Sequence, residues 1–209
     1  MLRFSLPASF FHSMISLTRA SAHCAAALLF ALPIASARAD SDDTALTNLV
    51  ALVSQRLALA EPVAQWKWQH QKPITDTPRE DALLADVQKR AAVAGVDPAF
   101  ARVFFRDQID ASTLVQKSLF DTWRASQAPA NPAPDLATVT RPQLDQLTGR
   151  LIGALARVQP LRGAPDCPAR VARSVESWKE LTRYDSAHAK AMNQALGHVC
   201  ESGGVGGMA

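Results

Sequence analysis

Several polar residues stand at spacings that make them face one another. Arg56 and Lys67 are eleven residues apart, which at about 100° per residue returns to nearly the same face of a helix. Two cations on a half-apolar face suggest an anion-binding surface. The plainer alternative is two long side chains that lay their stems along apolar surface and keep their charges in water. Arg79 and Arg141 each fall in the first turn of a predicted helix, where the macrodipole disfavours a cation by roughly 0.3–1 kcal/mol. Solvent or a local anion has to compensate, and a dianionic ligand would serve. Asp76, Arg79 and Glu80 lie within one turn, with Glu80 equally suited to be the carboxylate of a capping box. Ser112 and Gln116 form an i,i+4 pair, neighbours on one helix face that also suit a solvent-facing position. The sequence carries no G-x-S-x-G, no glycine-rich phosphate loop and no Cys/His cluster with metal-ligand spacing. The chemistry these residues suit is the binding of an anion.

The elements that must position them are helical nearly throughout. Leu46, Leu49, Val50, Val53, Leu57, Val63 and Trp66 mark a long first helix from about Asp42 to Gln71, which Pro62 should kink. Lys72 to Asp76 breaks the pattern. Thr77-Pro78-Arg79-Glu80 reads as a capping box opening a helix that Gly95 ends. Asp97-Pro98 caps a third helix through to about Ser126. Residues 127–139 are rich in Pro and Ala and read as an extended connection. Thr140-Arg141-Pro142-Gln143 looks like a further capping box, for a helix to about Gln159, and one or two helices then cover Pro168–Thr182 and Ser186–Val199. No segment alternates with period two. The expected fold is all-α: a single-domain bundle of about six helices.

The first 39 residues are expected to be removed. Arg3 and Arg19 precede an uncharged run from Ser21 to Ser36, and Ala37-Arg38-Ala39 gives a small-x-small cleavage site, the layout of a secretory signal peptide. The run is shorter than the roughly 20 apolar residues that span a bilayer. The domains expected are a leader over 1–39, a helical domain over 40–202 and a disordered tail over 203–209. Of the 22 Lys and Arg against 19 Asp and Glu, the leader holds Arg3, Arg19 and Arg38 and no acid, which leaves 19 against 19. That balance offers no footprint for nucleic acid or anionic membrane. Only Cys167 and Cys200 remain after cleavage; in an exported protein they read as one disulfide, the alternative being two free thiols.

Three strings, Q-R-L-A-L-A-E-P-V-A-Q-W-K-W, I-T-D-T-P-R-E and F-R-D-Q-I-D-A-S-T-L-V-Q, resemble the all-helical chorismate mutases. The leader and the cysteine pair in a C-terminal helical extension resemble the secreted, periplasmic-type (gamma) subclass. The resemblance spans about Asp43 to Cys200. It implies the rearrangement of chorismate, a small dianion, to prephenate without a cofactor, by a homodimer in the periplasm or outside the cell. Arg56 and Arg141 match the arginines that bind substrate carboxylates, and Lys67 the lysine that reaches a carboxylate and the ether oxygen. Arg79 matches a substrate-positioning arginine, while Asp76 and Glu80 match positions that contact the ring hydroxyl or hold those arginines. Ser112 matches the residue near a carboxylate, and Gln116 the donor to the ether oxygen. Leu83 departs from the glutamine some secreted members carry. The rival function is a non-catalytic exported helical protein that binds carboxylates; the pairing of Lys67 with Gln116 speaks against it, since carboxylate binding alone needs no ether-oxygen donors.

Overall fold

In a computed structural model the chain is described over residues 31–203, with side chains from residue 42 onward. Most of the expected leader and all but the first residue of the expected tail lie outside the described residues. The account below concerns the compact unit Ala39–Ala209, together with the start of its first helix. Its regular structure is helical: α1 Ala31–Ala58, α2 Ala60–Gln69, α3 Thr77–Val93, α4 Pro98–Ala125, α5 Arg141–Val158, α6 Cys167–Thr182 and α7 Ser186–Ala195. No strand occurs among the described residues, and with α1 and α2 read as one broken rod the bundle has the six expected members. No helix among the described residues is long and apolar enough to cross a membrane.

The first helix starts upstream of the expected Asp42, within Ala31–Ala58, and its break falls at Leu59 rather than at Pro62. Pro62 has no N–H to give to the carbonyl one turn back, and its ring crowds that carbonyl. The strain is taken up just before the ring: Leu59 N bonds Arg56 O at 3.2 Å, a tight turn, and Val63 N resumes the ladder on Leu59 O at 3.3 Å. The break places Arg56 in the last turn of α1 and Lys67 in the last turn of α2.

Two helix starts differ from expectation by a choice of cap. Asp76, not Thr77, caps α3: its carboxylate accepts from Arg79 N, while Glu80 Oε1 accepts from Asp76 N at 3.2 Å. The reciprocal capping is real but shifted by one residue, because Asp76 offers a charged acceptor where Thr77 offers a hydroxyl. Thr140 makes no side-chain cap at α5. Asp135 does that work five residues earlier, its Oδ1 accepting from Ala137 N at 3.0 Å and Thr138 N at 2.7 Å. The end of the expected extended connection, Leu136–Thr140, is accordingly a π-helical turn leading into α5. At the other end of α3, Gly95 takes φ +73° and Val96 N returns to Ala91 O at 2.9 Å. Only a residue without Cβ does this without cost.

The core forms around α4, which packs against α2, α3 and α7. Phe104 and Phe105 are fully buried there, with Leu49, Val53 and Leu57 of α1 and Leu151 and Leu155 of α5 in the same cluster. Each such side chain contributes about 1.5–3 kcal/mol on burial. A second, smaller cluster of Ala64, Phe120 and Trp123, joined by Trp68 and Ile74, closes the far end of α2 against α4. The Cys167–Cys200 disulfide is formed, with Cα atoms 5.9 Å apart. It ties the start of α6 to the chain after α7, so the C-terminal helical pair is anchored to itself as well as to α4.

Candidate active site

All eight residues singled out in the sequence line one cavity of about 710 Å³. Arg56 comes from α1, Lys67 from α2, Asp76, Arg79 and Glu80 from the start of α3, Ser112 and Gln116 from α4, and Arg141 from the start of α5. Five elements distant in sequence thus converge, and apolar walls from Val63, Trp66, Leu83, Ile109 and Leu136 complete the cavity.

Arg56 is the deepest of the cations, only 7% exposed. Its Nε and Nη1 are buried without a hydrogen-bond partner. Burial pulls its guanidinium down to about 10, and the Asp145 carboxylate works in the opposite direction. Arg141 likewise keeps a buried, unpaired Nε. Buried donors are nearly always satisfied, and leaving one unpaired costs about 1–3 kcal/mol. Two arginines with free donors on one cavity suit the binding of an anion.

Lys67 is partly buried. Its ammonium donates to the Ile74 carbonyl at 2.5 Å. Burial lowers its pKa, Asp76 and Glu80 oppose that, and Arg141 and Arg79 add to it. Gln116, 4% exposed, donates from Nε2 to Ser112 Oγ at 3.0 Å, and its Oε1 is buried and unpaired. The i,i+4 pair is therefore a joined unit on the cavity wall. Glu80 is used at both oxygens: Oε1 takes the Asp76 N–H, and Oε2 takes Arg106 Nη1 at 3.0 Å.

Sequence reasoning missed three participants. Asp145 lines the cavity and stands four residues after Arg141, a spacing that puts both on one helix face; that signal is present in the sequence. Lys72 also lines it, from a loop whose conformation no periodicity encodes. Arg106 reaches Glu80 across 26 residues, and nothing local marks it. Counting only the residues that line the cavity, and so leaving Arg106 out, Arg56, Lys67, Lys72, Arg79 and Arg141 stand with Asp76, Glu80 and Asp145. Five cations against three carboxylates leave an excess of two positive charges, suited to a dianion of modest size.

Comparison with known proteins gives this geometry a family context. Residues 43–117 match the family described as chorismate mutase type II. The secreted chorismate mutase of Mycobacterium tuberculosis is 31% identical over 166 residues, 79% of this chain and 83% of that protein. A crystal structure of chorismate mutase from Burkholderia thailandensis is 69% identical with a TM-score of 0.74, covering 75% of this chain and 99% of that one. The corresponding structure from Burkholderia phymatum is 35% identical with a TM-score of 0.73, over 77% and 98% of the two chains.

Proposed function

The chain belongs to the chorismate mutase type II family, and from that premise we propose how its cavity carries chorismate to prephenate. The enzyme is an isomerase. Its substrate holds two carboxylates, and the intramolecular Claisen rearrangement breaks an ether C–O bond while forming a C–C bond. No proton moves and no nucleophile is required, so the protein has two tasks. One is to hold the dianion in the compact conformer from which the ends can join, a positioning contribution. The other is to donate hydrogen bonds to the ether oxygen, which grows more negative in the transition state.

Arg56 and Arg141 take the carboxylates, with Arg79 orienting the ligand and Ser112 close to one carboxylate. Asp76 and Glu80 face the ring hydroxyl and steady the cations, and Leu83 leaves that contact to them. Lys67 and Gln116 serve the ether oxygen. Turning the Gln116 amide over lets its Oε1 accept from the Ser112 hydroxyl, and places Nε2 where the unpaired Oε1 now lies. A ligand acceptor beside it favours that orientation. A millionfold acceleration needs roughly 8 kcal/mol, and removing one donor of this kind typically costs about 10²–10³ in rate.

The observation that carries the reading is the convergence of Arg56 and Arg141, each with a buried and unpaired N–H, on the cavity that also holds Lys67 and Gln116. A module that only bound carboxylates would need the arginines and not the second pair. The decisive measurement is loss of chorismate absorbance, with purified protein and its Lys67→Ala variant. The variant's kcat is expected to fall by about 10²–10³; parental kinetics in Lys67→Ala would sink the mechanism.

The same reading includes export to the periplasm or beyond, with cleavage next to Ala39. The relatives named as secreted support export, and the small-x-small Ala37-Arg38-Ala39 is the reason for placing the cleavage there. The mature domain then runs from Asp40 to about Ser202 and works as a homodimer, as the resemblance to the secreted subclass implies.

A further inference from the structure

The Pro- and Ala-rich connection between α4 and α5 has no regular structure before Leu136, yet α2 grips it at three points. Gln65 Nε2 donates to the Asn131 carbonyl at 2.7 Å, and Gln69 Nε2 donates to the same carbonyl at 2.9 Å. In return Ala133 N donates to Gln69 Oε1 at 3.0 Å. Two amides one helical turn apart thus occupy both lone pairs of one carbonyl. Upstream, Ala128 packs on the Ala64, Phe120 and Trp123 cluster. Downstream, Asp135 ties down Ala137 and Thr138, Leu136 and Thr140 are buried, and Arg141 follows.

We infer that Gln65 and Gln69 are positioning residues for substrate binding, acting through Asn131 on the placement of Arg141. The inference rests on the reading that Arg141 binds a substrate carboxylate. Among the described residues no carboxylate forms an ion pair with the Arg141 guanidinium, and its Nε has no partner. No hydrogen bond or ion pair fixes that side chain by its head, and the Asp135 carboxylate attracts it from the same connection, so its place follows from where that stretch of backbone is laid. The three bonds from α2 are the fixed points nearest upstream of the Asp135 cap. Neither glutamine lines the cavity, so any effect on the reaction must pass through what they hold.

Misplacing a binding group by about 1 Å can cost about 10²-fold, and loss of one neutral hydrogen bond moves an equilibrium by roughly two- to tenfold. Gln69→Ala is expected to raise KM several-fold, and Gln65→Ala/Gln69→Ala by at least about tenfold, with kcat changed less than about threefold. The test is a cycle: steady-state kinetics for these variants in the parent and in an Arg141→Ala background. The expected result is a KM rise in the parent that disappears once Arg141 is gone. Parental KM in the glutamine variants overturns the inference, as does an equal fold-rise in both backgrounds, which is what mere loosening of the fold produces. Should the double variant fail to fold, Gln69→Ala alone decides, because that side chain is exposed. An Arg141→Ala variant with unchanged KM overturns the assignment of Arg141 itself, a separate outcome, and the inference with it.

Discussion

Replacing Arg56 by methionine is expected to make the protein more stable and nearly inactive. The side chain is 7% exposed, with Nε and Nη1 unpaired, and its guanidinium is pulled down to about 10. Against the ordinary guanidinium range, that displacement corresponds to about 3 kcal/mol of penalty on the charged form. The sign follows from linkage. A cation whose folded pKa is depressed binds its proton more weakly in the folded state, so folding carries the whole penalty at every pH below about 10. It is relieved only as the pH rises through that value. Methionine keeps an unbranched stem of similar reach and removes the charge. After allowance for imperfect repacking, a net gain of about 1–3 kcal/mol is expected, or roughly 3–10 °C in Tm for a domain of this size. The gain should be constant between pH 6 and 8. Activity moves the other way, since losing a buried charged partner for a carboxylate costs about 2–5 kcal/mol, roughly 30- to 5,000-fold in kcat/KM. The assay is thermal unfolding of both proteins with and without an unreactive dianionic analogue of the transition state. The parent's Tm should rise with the analogue, and the variant's higher baseline should not move. A Tm several degrees below the parent's, with the rise on ligand intact, would refute the argument that Arg56 is held in strain for a ligand.

The Cys167–Cys200 bond closes a separation of 33 residues and should contribute about 3–4 kcal/mol in the chain-entropy model; Cys167→Ser should therefore lower Tm far more than turnover, measured side by side. Burial lowers the Lys67 pKa, so kcat/KM should fall on the alkaline side earlier than an ordinary lysine would dictate, and a profile flat to pH 10 would contradict the role of its ammonium. Gln116→Glu should keep the fold, lose activity near neutrality and regain some as the pH falls, because a carboxyl donates to the ether oxygen only when protonated. A kcat/KM profile for that variant as flat as the parent's would remove Gln116 from the ether oxygen.

The parts of this molecule legible from sequence are those governed by local rules. Leu46, Leu49, Val50, Val53 and Leu57 reveal a helix face by spacing alone, and all five are buried. Gly95 announces its turn because the required φ admits little else. The caps at α3 and α5 are harder to read, since Asp76 competes with Thr77, and Asp135 with Thr140, and the winner depends on how the preceding chain lies. The site residues show in the sequence as a pattern of types, while Arg106, Gln65 and Gln69 are invisible there. Their bonds span 26 to 66 residues, and nothing in a local window records which partner a long polar side chain will meet after folding.

The surplus of two positive charges around the cavity has a consequence for turnover. On the proposed assignment of Arg56 and Arg141 to the carboxylates, an isomerisation leaves the ligand's charge as it was, so the product meets the same arginines as the substrate. Electrostatic attraction that speeds capture therefore delays departure by a comparable factor. The three carboxylates Asp76, Glu80 and Asp145 lining the same walls temper that attraction. They act as a brake on retention, keeping the cavity from becoming a trap for its own product.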